Sequence, residues 1–125
     1  MSKDVRIPDV THPITIEPGS GRVVVEVDGQ VVAESSNVLV LREASYPAVY
    51  YVPLEDVDRA LLRRSNTTSH CPYKGDASYY SIVVPHGREV TDAIWAYENP
   101  YPAVAEIAGH VAFYPDRVTI SSVED

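Results

Sequence analysis

Along most of the chain, apolar and polar positions alternate with a period of two, the signature of half-buried strands. The clearest stretch is RVVVEVDGQVVAES, residues 22–35. Val23, Val25 and Val27 share one face there, and Val24 and Glu26 the other. Asp28-Gly29 lies between two β-branched runs, where a two-residue hairpin needs positive φ angles. Upstream, Ile14–Glu17 predicts a short edge strand before the Pro18-Gly19-Ser20-Gly21 turn. Downstream, VLVLRE (38–43) and AVYYVP (48–53) predict two more strands joined by an ASYP turn, with Arg42 on the opposite face from Leu41 and Glu43.

One segment changes period. In LEDVDRALLRR (54–64), Leu54, Val57, Leu61 and Leu62 form a helical stripe, with acids at the start and arginines at the end. An α-helix is expected there, with Pro53 as its break. The polar stretch SNTTSHCPYKGD (65–76) is expected to be a loop, where function tends to sit. Next come a strand in ASYYSIVV, the Pro85-His86-Gly87 turn and a strand around AIWAY. A rigid NPYP turn (99–102) and one or two helical turns in Ala103–Ala108 ending at Gly109 follow. HVAFY and RVTIS close the chain, separated by Pro115-Asp116. The total is seven or eight short strands and one helix: a mostly β domain, as an antiparallel sheet or folded sandwich.

The length of 125 residues allows one domain with its own core, read as residues 14–125 behind a loose N-terminal arm, residues 1–13. No apolar run approaches the ~20 residues of a membrane span, and the N-terminal stretch lacks the apolar core of a secretory signal. No membrane partner is expected. Cys71 is the single cysteine, so no internal disulfide forms, and a cytoplasmic location is expected. With 10 basic against 18 acidic residues and a net charge of −8, binding to a phosphate backbone is disfavoured and no nucleic-acid partner is expected. A local positive pocket for a small anion is still compatible with that balance. Nine Tyr against one Phe require either a polar-tipped core or a lined cleft.

Chemistry concentrates in His70-Cys71-Pro72-Tyr73-Lys74-Gly75, which sets a thiol, an imidazole, an ammonium and a phenol within six residues. A neighbouring cation favours the nucleophilic thiolate, so Cys71 is the candidate catalytic residue. The bland alternative is an inert, partly buried thiol beside a solvated Lys74. Arg42 either faces the interior, paired with Glu43, Glu34 or a bound anion, or sits on the solvent face. Tyr50, Tyr51, Tyr79, Tyr80, Trp95, Tyr97 and Tyr114 divide between core packing and a ligand-stacking cleft. The four histidines are far apart and no CxxC pair occurs, so no metal site is expected. No G-x-S-x-G elbow occurs, and Gly19-Ser20-Gly21 lacks the strand–helix context of a phosphate loop.

The series RVVVEVDGQVVAES, VLVLRE, VYYVP, HCPYKGDASYY, AIWAYENPY and VAFY resembles the domain-of-unknown-function family 427, common in bacteria; CPYKG-x-A-x-Y-Y followed by W-x-Y-x-x-P is its specific part. The resemblance runs from about Gly21 to Tyr114 and implies small crossing sheets in a β-tent-like arrangement. It assigns no activity. The nucleotidyltransferase heading under which the family is sometimes filed implies paired carboxylates after a Gly-Ser turn; here Glu26 and Asp28 follow Gly19-Ser20 too closely for that site. The family pattern lands on Arg42, Glu43, Tyr51, Cys71, Lys74, Tyr79, Trp95, Tyr97 and Tyr114. These are expected on one concave face, as a pocket with two cations, a thiol and an aromatic lining. The function expected is binding of a small anionic or planar molecule, with no cofactor named. The alternatives are a Cys71-dependent enzyme, activated by His70 or Lys74, and a protein-interaction module with a tyrosine-rich face.

Overall fold

The computed structural model describes residues 5–85 and 87–123. In chain order the first strands are β1 (Ile14–Pro18), β2 (Arg22–Val27), β3 (Gln30–Ser35), β4 (Leu39–Glu43) and β5 (Val49–Pro53). They are followed by β6 (Leu62–Cys71), β7 (Gly75–Val83), β8 (Glu89–Ala96), β9 (His110–Phe113) and β10 (Thr119–Val123). All pairings between strands are antiparallel: a three-stranded sheet β10-β2-β3 and a seven-stranded sheet β1-β4-β5-β9-β8-β7-β6. The mostly β expectation with small antiparallel sheets holds. The β2–β3 hairpin turns at Asp28 and Gly29, with φ of 51° and 81°, and Val23, Val25 and Val27 are buried.

The expected helix at 54–64 is absent. Leu54–Asp56 and Arg59–Leu61 are two separate 3₁₀ turns, and Leu62 already starts β6. Between the turns, Val57 is extended and bridges Ala33, while the Asp58 N–H donates to Val32 O at 2.8 Å. Bonds to β3 thus replace helical ones, and eleven residues hold a helix only marginally on their own. The apolar stripe still does its job, because Val57 and Leu61 enter the core. The expected polar loop is also corrected: residues 62–71 form a ten-residue strand. β6 is a sheet edge with most of its residues exposed, so its polar side chains cost nothing in burial and guard against edge-to-edge association. Pro102–Ile107 is 3₁₀ and ends near Gly109 with φ 75°, as the sequence suggested. In the expected turn at 85–87, His86 lies outside the described residues. No helix among the described residues is long and apolar enough to cross a membrane.

Two apolar clusters sandwich the large sheet. One fills the space between the two sheets, with Val25, Val52, Ile82, Ile94, Val111 and Phe113. The other, on the opposite face, joins Leu41, Tyr51, Ala77, Tyr97 and Ala112 to Val104 and Ile107 of the 3₁₀ segment. β5 and β9 meet at a short seam in the large sheet. They pair at Val52–Val111 and Pro53–His110, and the Leu54 N–H continues the register by donating to Gly109 O at 2.9 Å. Extending that register would set Tyr50 opposite Phe113, but the ladder stops first. This seam joins the β1-β4-β5 half to the β9-β8-β7-β6 half, and its pairing stops short of Tyr50 and Phe113.

Candidate functional site

Strand alternation brings the site together. Leu41 and Glu43 on β4, Val49 and Tyr51 on β5, Tyr79 on β7 and Trp95 on β8 point to the same side, as do Tyr97 just beyond β8 and Tyr114 just beyond β9. Together with Tyr46, Pro47 and Lys74 they line a cavity of about 200 Å3. Lys74 arrives from the tight turn after β6, closed by its N–H on Cys71 O. Gly75 follows with φ 113°, a conformation that disfavours any side chain, and the Lys74 carbonyl accepts from the Tyr101 N–H at 3.0 Å. Ala44, with φ 49°, bends the chain away just after Glu43, its N–H bonded to Pro13 O at 2.8 Å.

The floor of the cavity is an ion pair. Lys74 Nζ donates to Glu43 Oε1, and the two side chains retain only 10% and 15% of their exposure. The other oxygen, Oε2, lies 2.7 Å from His12 Nε2, whose ring stacks on Tyr73 at 4.0 Å. Burial alone would push the Glu43 carboxyl up, but hydrogen bonds from Lys74 and His12 outweigh it and hold it below the ordinary 4.5. Lys74 Nζ also sits 5.9 Å from the Tyr97 ring centre.

The walls are aromatic with polar tips. Trp95 Nε1–H donates to Tyr51 Oη at 3.3 Å, the two rings meeting edge to face, and Trp95 packs on Tyr114 at 4.5 Å. Tyr79 Oη lies 2.8 Å from Ser69 Oγ and hydrogen-bonds Tyr114. Burial pushes the Tyr51 and Tyr97 hydroxyls far above their ordinary 10. Tyr114 is pushed up to about 12, first by burial and then by its bond to Tyr79. All three are therefore neutral donors and acceptors at physiological pH.

A second, larger cavity of about 680 Å3 adjoins the first and shares Glu43, Tyr46, Pro47, Val49 and Trp95 with it. Its remaining walls are Ala48, Tyr50, Phe113, Pro115 and Ile120. Tyr50 and Phe113 belong to the face between the sheets, so this cavity draws its lining from both faces of the large sheet beside the β5–β9 seam.

Of the nine residues expected to converge, Glu43, Tyr51, Lys74, Tyr79, Trp95, Tyr97 and Tyr114 line the smaller cavity. Arg42 does not: it is exposed, on the opposite side of β4 from Leu41 and Glu43. Cys71 does not either: it is half-buried and packed on the second apolar cluster, which also holds Tyr51 and Tyr97. The expected pocket with two cations and a thiol is thus a pocket with one cation, already paired. His70 and Cys71 are neighbours in a strand rather than a loop, so they point to opposite faces; His70 Nδ1 lies 2.8 Å from Asp76 Oδ1. Sequence reasoning missed Tyr46, Pro47 and His12. The first two were read only as a turn. Nothing local in the N-terminal segment signals His12, yet that segment is tied down by Arg6 N–H to Pro72 O at 2.7 Å as well as by Glu43. Residues 1–4 of the expected loose arm lie outside the described residues.

Fold and site define a small antiparallel β domain with a tyrosine-lined cavity built over a buried Glu–Lys pair. The chain belongs to the family described as domain of unknown function DUF427, whose model matches residues 15–124. That model also carries a nucleotidyltransferase label. The carboxylates considered for such a role lie elsewhere: Asp28 makes the β2–β3 turn and faces Arg88 at 3.2 Å, and Glu26 is on β2. No curated protein matches the chain.

Proposed function

We propose that this domain binds a small, uncharged planar molecule in the tyrosine-lined cavity. The observation that carries this reading is the convergence of Trp95, Tyr51, Tyr79, Tyr97 and Tyr114 on one concave face above an ion pair whose charges cancel. Aromatic walls favour a flat ring. Neutral phenol hydroxyls, and the Glu43–Lys74 pair below them, offer hydrogen bonds to its polar edge. A phosphate or carboxylate is a poorer fit, because Lys74 is already matched by Glu43 and Arg42 lies on the other side of β4. The unpaired Cys71 is in keeping with a reducing compartment such as the cytoplasm.

A thermal-shift screen tests this, with phenols, indoles, purine bases and nicotinamide set against sugar phosphates and dicarboxylates. A compound at 100 times its dissociation constant stabilises the native state by ~2.7 kcal/mol, several degrees for a domain of this length. Uncharged planar compounds are expected to give that shift in the wild type and not in Trp95→Ala. Shifts confined to the phosphates and dicarboxylates would overturn the reading.

A further inference from the structure

We propose that the ligand has two parts: a planar polar head in the tyrosine cavity, and an apolar arm that extends into the larger cavity beside the β5–β9 seam. The proposal rests on the planar-ligand reading above and adds the class of molecule. Three observations carry it. The two cavities adjoin, with Pro47, Val49 and Trp95 in the lining of both. Their chemistry differs. Hydroxyls and the ion pair surround the small cavity, whereas the walls of the large cavity alone (Ala48, Phe113, Pro115 and Ile120) are apolar apart from Tyr50. Water held there would find few polar partners, which makes apolar matter the better occupant. Finally, pairing between β5 and β9 ends before Tyr50 and Phe113, both of which line the large cavity. At about 680 Å3, that cavity is within the range of small-molecule sites, while the 200 Å3 cavity alone falls below it.

The test uses phenol and a series of 4-alkylphenols from ethyl to hexyl. Trp95 is the sole tryptophan and lies on both cavities, so its emission reports binding directly; thermal shift is measured in parallel. Affinity is expected to rise about fourfold per methylene, equivalent to ~0.8 kcal/mol for each buried CH2. Ala48 is exposed on the wall of the large cavity only, so Ala48→Glu should leave folding and phenol affinity intact while flattening the chain-length gain. Phenol that binds, with no gain along the series, would overturn the two-part ligand and leave the planar-ligand reading standing. A gain that survives Ala48→Glu places the chain elsewhere and also overturns the proposal. If no member shifts either Trp95 emission or melting temperature, both readings fall.

Discussion

Replacing Lys74 by Met tests whether the buried pair holds the fold as its geometry implies. Stranding one member of a buried pair costs ~3–5 kcal/mol. In Lys74→Met the Glu43 carboxylate keeps His12 on Oε2, so the expected loss is smaller, about 2–3 kcal/mol. Glu43→Gln leaves the ammonium with an amide oxygen at best and the face of Tyr97, and should cost somewhat more, ~3–4 kcal/mol. Each kcal/mol moves the melting temperature of a domain this long by roughly 3–5 °C. Urea unfolding of wild type, both single variants and the double variant gives the coupling directly. The double variant should lose less than the two singles added together, by about 1.5–3 kcal/mol. The pH dependence has a definite sign. The folded Glu43 carboxyl is held below its unfolded value of about 4.5, so its stabilisation is complete above that value and is lost as pH falls through the folded pKa. The gap between wild type and Glu43→Gln should therefore be constant near neutrality and close on acidification. Single-variant losses below about 0.5 kcal/mol with additive behaviour are what an exposed ion pair gives, and would refute the buried-pair reasoning.

Two further outcomes follow from the same site. Gly75→Ala forces a side chain into a backbone at φ 113°, with its Cβ 3.4 Å from Asn99 O. It should lower stability by ~1–2 kcal/mol in chemical denaturation, whereas Gly→Ala at an unstrained site would stabilise. Spectrophotometric titration of the nine tyrosines should show Tyr51 and Tyr97 silent until the chain unfolds, and Tyr114 ionising near 12. Because these hydroxyls are raised, the stability they contribute is full below the ordinary value of 10 and erodes as pH climbs above it. A native titration curve that overlays the urea-unfolded one would contradict their burial.

Much of the fold was legible because alternation is a local signal. The β2–β3 hairpin needed only Asp28-Gly29 and its flanking valines. The period of two also orders the site: Leu41 with Glu43, Val49 with Tyr51 and Trp95 with Tyr97 each share a face because they are two apart. The failures have physical reasons. The 54–64 stripe matches a helix, but its apolar residues reach the core equally well through two 3₁₀ turns once β3 supplies the backbone partners. β6 is not legible because an exposed edge strand need not be apolar, and without it His70 and Cys71 read as parts of one loop. His12 is thirty-one residues from Glu43, and only the folded topology brings them together.

The seam explains why the polar groups of the cavity are where they are. Pairing between β5 and β9 stops short of Tyr50 and Phe113, and beyond that point side chains tie the two halves of the large sheet. Glu43 closes β4 in one half, and Lys74 stands in the turn between β6 and β7 in the other. Tyr51 on β5 accepts from Trp95 on β8, again across the seam. Ion pair and hydrogen bond thus tie the two halves where the ladder has ended, with side chains instead of backbone. Side-chain ties leave a lined space that continued strand pairing would have filled. The same contacts therefore shape the width and polarity of the cavity, and for the proposed binding role weakening them should change ligand affinity and stability together.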